Sequence, residues 1–235
     1  MQLFQNGFMV FWTPIVYEKH WKVSQEKASQ EKEFYKKANM VVSVGMFSLG
    51  LLILGGKDLI FMLLSKSYRE AAYVSPFLLL YPTMYTISET TVIGINFTKK
   101  TYWHIVITGV SGAANFFGNT LLVPHLCAKG AAISTGVSYM LFFAMRTIIS
   151  EKLYKVGFEL RRIYSATIIL VCGTLLGTFV RSFVLNLVVA FVGIVAVMLI
   201  YKDYVPYVYK RISSFVKKNL ICDDIESTTK CLNCV

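Results

Sequence analysis

The chain has 235 residues, of which 55% are hydrophobic and 16% charged, with a mean hydropathy of +0.56. An ordinary soluble domain carries about 25% charged residues, so this composition excludes a water-filled surface over most of the chain and points to a membrane protein. The net charge of +11 would suit a nucleic-acid binder only if the cations formed one patch, and they are instead spread between apolar runs.

Runs of roughly 20 apolar residues, enough to cross about 30 Å of hydrocarbon, were taken in chain order. Residues 1–17, "MQLFQNGFMVFWTPIVY", are too short to span unaided and read as the end of a truncated transmembrane helix. They lack the basic start and small-residue cleavage site of a signal peptide. Residues 18–38 alternate Glu and Lys and are expected to form a solvated, cytoplasmic charged loop or helix. The region 39–201 reads as a six-span transmembrane domain, with spans at 39–54, 71–97, 103–123, 130–149, 163–180 and 183–201. Between the first two, "GGKDLIFMLLSKSYREAAYVSP" opens on a Gly pair expected to break the helix before a short amphipathic turn at the outer interface. The last two spans are joined only by "RSF" and form a hairpin. The fold class is therefore all-α: a polytopic transmembrane bundle of about six full spans plus one truncated span.

If every span crosses, nineteen of the 24 Lys and Arg fall on one side, and Lys57, Lys66, Arg69, Lys129 and Arg181 on the other. The positive-inside rule makes the richer side cytoplasmic and places the basic tail, 202–235, there. Thiols are reduced in that compartment, so Cys222, Cys231 and Cys234 are expected in a solvated tail. The lone Cys231-x-x-Cys234 has no second pair or His to complete a metal site.

Within the spans, Pro82, Tyr85, Glu89 and Asn96 share one helix face. Glu89 lies below the midplane, towards the cytoplasm. It is either a cavity carboxylate or an interfacial residue paired with Lys99, Lys100 or a loop cation. The next span carries Thr108, Ser111, Gly112, Asn115, Gly118 and Asn119 on neighbouring ridges. Small residues let helices approach and amides bridge them, so Asn115 and Asn119 either pack against another helix or line a transport path. Pro124 is expected to end this helix, and Gly130-Ala131-Ala132 to start the next. His20, His104 and His125 are scattered, and no nucleophile-base pair, phosphate loop or metal-spaced cluster accompanies them, so neither an enzyme nor a cofactor is called for.

Three features in fixed order carry a family resemblance: Tyr68-Arg69-Glu70-Ala71 before a span, Thr98-Lys99-Lys100-Thr101 at a cytoplasmic turn, and Asn115-x-x-x-Asn119-x-x-x-x-Pro124 followed by Gly130-Ala131-Ala132 and Thr135. They resemble the C-terminal lobe of polysaccharide flippases of the O-antigen (Wzx) type, in the multidrug, oligosaccharidyl-lipid and polysaccharide exporter superfamily. One departure is Cys127, where that family commonly has Gly. The resemblance implies a two-lobe transporter around a cavity that opens alternately to each side. This chain would supply most of the second lobe, with the first lobe or a partner chain facing it. The implied task is moving undecaprenyl-pyrophosphate-linked oligosaccharide across the bacterial inner membrane for surface polysaccharide. Candidate substrate-path residues are Glu89, Asn96, Asn115 and Asn119, with Arg69, Lys99 and Arg146 as cations for the pyrophosphate or as interfacial anchors. The alternatives are a multidrug/proton antiporter of the same superfamily, and a membrane-embedded polymerase or acyltransferase. The enzyme would need a large external loop with paired Arg or a catalytic His, and the longest external stretch offers neither.

Overall fold

The apolar runs fold as helices, and no strand occurs among the described residues. The computed structural model describes residues 1–21, 28–62, 71–180 and 182–204. One compact unit covers Met1–Ile200; of a second, Tyr201–Val235, only the turn at 201–204 is described, closed by the Tyr204 N–H on the Tyr201 carbonyl at 2.8 Å. The tail cysteines Cys222, Cys231 and Cys234 lie outside the described residues, as do Lys66, Arg69 and Arg181.

In order, the helices are α1 (Gln2–Trp21), α2 (Ala28–Met62), α3 (Ser75–Leu78), α4 (Leu80–Thr91), α5 (Ile93–Phe97), α6 (Tyr102–Leu153), α7 (Leu160–Phe179) and α8 (Phe183–Ile200). Four stretches, Ser29–Leu59 within α2 together with α6, α7 and α8, are long and apolar enough to cross a membrane. This is the architecture of an all-helical membrane protein. The last four expected spans recur as helical segments with similar limits, whereas the first two are corrected.

The first correction concerns α2, which runs far beyond 39–54 at both ends. At its start, Glu31 and Tyr35 are buried rather than solvated, and the Tyr35 hydroxyl donates to Glu31 Oε1 at 2.9 Å. Tyr35 belongs to an apolar cluster with Trp12, Val16, Ile93, Val156 and Phe158. Beside it lies Tyr154, whose phenol is raised above its usual value by burial and by the Glu31 charge. At the other end the Gly55-Gly56 pair does not break the helix. A Cβ on Gly55 would come within 2.7 Å of Ala190 Cβ, so the missing side chain is what lets α8 lie against α2. The same close fit recurs where Leu51 and Leu54 meet Gly193, Gly173 and Gly177. Van der Waals packing of this sort replaces the hydrophobic effect as the force between helices in lipid. Lys57 and Asp58, expected in an interfacial turn, are helical, and Lys57 is only 2% exposed. Asp58 accepts from Lys57 Nζ at 3.1 Å and from Asn186 Nδ2 of α8 at 2.8 Å, which pins the two helices near their ends.

The second correction concerns 71–97, which is divided into α3, α4 and α5. Pro82 has no N–H for the Leu78 carbonyl, and the ladder is interrupted at Leu79. At Val92 the interruption follows a run of hydroxyls that bond back onto their own helix: Thr86 to Pro82 O, Ser88 to Tyr85 O, Thr90 to Ile87 O and Thr91 to Ser88 O, at 2.7 to 3.1 Å. Such back-bonding competes with the backbone ladder and bends helices.

The spans expected at 103–123 and 130–149 correspond to a helical hairpin within α6. Its two arms, 102–126 and 128–153, are antiparallel: Asn115 Nδ2 reaches Ser138 Oγ at 3.2 Å, and the Ser134 hydroxyl donates to the Asn115 carbonyl at 2.9 Å. Pro124 does not end the first arm, because it removes only the N–H that would have met Thr120 O. The reversal falls at Cys127, with φ 48 and ψ −129. This is close to the first central position of a type II′ turn, which strongly favours Gly.

Cys127 therefore carries a Cβ where a glycine would be relaxed. Cys127→Gly is expected to raise stability by about 1 kcal/mol and Cys127→Val to lower it, read as opposite shifts of the unfolding midpoint in detergent.

Candidate functional site, a polar cavity between the hairpin and the broken helix

The two arms of α6 present ridges of matching spacing. On the first arm His104, Thr108, Ser111 and Asn115 recur every three or four residues, and on the second arm Thr135, Ser138, Phe142 and Arg146 do the same. Together with Tyr85 of α4, Gly112 and Tyr139, they enclose a cavity of about 660 Å³.

Arg146 organises one end of it. The residue is 7% exposed, and its Nη1 donates to Glu89 Oε1 at 2.7 Å and to Ser88 Oγ at 2.9 Å. Ser88 in turn donates to the Tyr85 carbonyl at 2.7 Å, so its hydroxyl is used in both directions. The guanidinium carbon lies 5.7 Å from the Tyr85 ring centre and 5.3 Å from that of Phe142, within cation-π range. Arg146 Nε is buried without a hydrogen-bond partner among the described residues, as is Ser111 Oγ.

Glu89 is thus paired with Arg146 and not with Lys99 or Lys100, and Arg146 is buried in the bundle. Each finds its partner across the α4–α6 seam, which holds a series of polar contacts. Thr91 and Thr147 share a hydrogen bond of 2.9 Å between hydroxyls. One turn on, Ser150 donates to the Thr91 carbonyl at 2.5 Å and accepts from the Gly94 N–H at 2.9 Å, filling the gap in the ladder at Val92. A Cβ on Gly94 would fall on the Ser150 carbonyl oxygen. From α1, Trp12 Nε1 donates to the Glu89 carbonyl at 3.2 Å.

The remaining candidates divide. Asn115 donates to Thr135 at 3.3 Å as well as to Ser138, lines the cavity, and accepts from Asn119 Nδ2 at 3.0 Å. Asn115 therefore ties the two arms together and faces the cavity, while Asn119 holds it from the next turn of the same arm. Asn96 sits one step back, its Oδ1 3.0 Å from Nε2 of His104, whose ring is part of the wall. Lys99 is exposed and away from the cavity. It takes φ 54 at the end of α5, where Lys100 N–H bonds to Ile95 O and Lys99 N–H to Asn96 O, a Schellman ending that stops the helix. Arg69 lies outside the described residues.

Sequence reasoning missed Tyr139, Phe142 and His104 as cavity residues, and Ser150 as the group that fills the break. The first two were legible in principle, since Thr135, Tyr139, Phe142 and Arg146 share a helical stripe. Among the described residues no group of three or more His, Cys, Asp or Glu could hold a metal ion. No family model, curated protein or solved structure matches the chain.

Arg146→Ala would leave the Glu89 carboxylate buried and unpaired, at an expected cost of about 3–5 kcal/mol, whereas Arg146→Met combined with Glu89→Leu should recover most of that loss. Unfolding midpoints of the purified single and double variants check this. Gly94→Ala, which forces the seam apart, is expected to cost about 1–3 kcal/mol by the same measurement.

Proposed function

We propose that this protein is a membrane transporter that carries lipid-linked oligosaccharide across the bacterial cytoplasmic membrane for surface polysaccharide assembly, with the basic tail in the cytoplasm. The observation that carries the reading is the cavity itself: about 660 Å³ of space within a bundle of apolar helices, walled by an amide, hydroxyls, aromatic rings and a buried Arg146. Polar groups at this depth are costly in lipid and mark substrate paths when they line a cavity. A saccharide fits such a wall, because its hydroxyls pair with amides and hydroxyls while its C–H faces rest on rings. The order of motifs from Tyr68 to Thr135 supports the same family of flippases, in which a second lobe or partner chain would close the cavity from the opposite side.

The test replaces Tyr139 with Ala in the source cell at the native locus, leaving the rest of the protein intact. The expected result is loss of surface polysaccharide and accumulation of its lipid-linked precursor on the cytoplasmic leaflet, at unchanged membrane abundance of the protein. Normal surface polysaccharide with normal abundance would sink the proposal. Drug sensitivity in the variant with intact polysaccharide would point instead to an antiporter.

A further inference from the structure

The charge of the cavity has a definite sum. Arg146 is the one permanently ionised residue in its wall, and its countercharge, Glu89, lies directly behind it at 2.7 Å. His104, the other titratable base in the wall, meets Asn96 Oδ1 through Nε2. An anion brought to about 4 Å from the guanidinium would stand roughly 7 Å from the Glu89 carboxylate, and the repulsion would cancel about half of the attraction. A two-point grip on a carboxylate needs two open guanidinium nitrogens, and here Nη1 serves Glu89 and Ser88 while Nε is buried.

What the wall offers instead is a row of rings and groups that both give and take hydrogen bonds. Tyr139 lies 6.0 Å from Phe142, and Phe142 stacks on Tyr85 at 5.7 Å with 10° between planes. The first arm of α6 adds Thr108, Ser111 and Asn115 to the same wall. A sugar hydroxyl can donate and accept at once, and so suits a wall of amide and hydroxyl groups, whereas a carboxylate only accepts.

We infer that the saccharide admitted to this cavity is uncharged: the Arg146–Glu89 pair makes the wall electroneutral and selects neutral sugars over uronic acids. The inference rests on the saccharide reading and adds its charge specificity. Any anionic group on the carrier lipid then lies outside this cavity when the sugar is inside it.

The purified full chain in nanodiscs at about pH 8, where an ordinary imidazole is uncharged, is titrated with a neutral tetrasaccharide and with a tetrauronate of equal size, binding being read by saturation-transfer NMR. The wild-type protein is expected to bind the neutral sugar at least about tenfold more tightly. Glu89→Gln, which keeps an acceptor for Arg146 and removes the countercharge, is expected to raise tetrauronate affinity relative to that of the neutral sugar about tenfold. Tetrauronate preference in the wild type, or no response of this relative affinity to Glu89→Gln in folded protein, overturns the charge specificity and leaves the saccharide reading standing. Binding of neither sugar overturns the saccharide reading and this inference with it.

Discussion

The contact between Arg146 and Glu89 is the constraint around which the rest of the unit is arranged. Two ions in an apolar bundle lose hydration worth several kcal/mol each, and their attraction compensates only when the geometry is close and the remaining hydrogen-bonding capacity is used. The chain meets the first condition at 2.7 Å and the second in part, with Arg146 Nε left without a partner among the described residues. Ser88, the residue before Glu89, takes a second bond from the same nitrogen, and Tyr85 and Phe142 cover the guanidinium with ring faces. Because the two charges sit on different helices, their pairing fixes the register of α4 against the second arm of α6. That register in turn aligns Thr91 with Thr147 and Gly94 with Ser150.

Two kinds of seam then hold the helices. On the α4–α6 side the contacts are polar and directional, and they coincide with an interruption of the backbone ladder that they help to satisfy. Around α2 the contacts are steric: Leu51 and Leu54 lie in the notches of Gly193, Gly173 and Gly177, and Gly55 admits Ala190. The first kind surrounds the cavity and the second is remote from it. A broken helix pinned by side chains is more easily rearranged than a pair of helices in continuous van der Waals contact. The polar lining therefore belongs to the more adaptable half of the unit, backed by a closely fitted one.

How much of this was legible follows from the range of the interactions involved. The helices of 160–200 were readable because lipid-crossing segments are specified by local composition, and Leu160–Phe179 and Phe183–Ile200 have little else in them. The limits of α2 were not, because Gly55-Gly56 means a break when read locally and a close approach when α8 is known to lie against it. Likewise the Thr and Ser run before Val92 reads as ordinary span polarity until its hydroxyls are seen to bond back on their own helix. For the cavity, Glu89 and Asn115 stood out because a carboxyl and an amide are conspicuous among apolar residues. Arg146 stood out as a charge, but its place depended on a partner 57 residues earlier, which no local pattern contains. Lys99 is exposed and away from the cavity, and its left-handed backbone, at φ 54, which ends α5, is a feature that its charge does not reveal.

That separation of 57 residues also bears on the order of events during synthesis. A ribosome adding about 5–20 residues per second makes Glu89 several seconds before Arg146. In that interval α4 carries a carboxyl without the guanidinium that meets it in the finished unit. The contact that fixes α4 against the second arm can form only once the α6 hairpin is complete. The α8 helix, the most apolar of the described candidate spans, needs no such partner to enter lipid. The register of α4 is thus set by a residue translated after it.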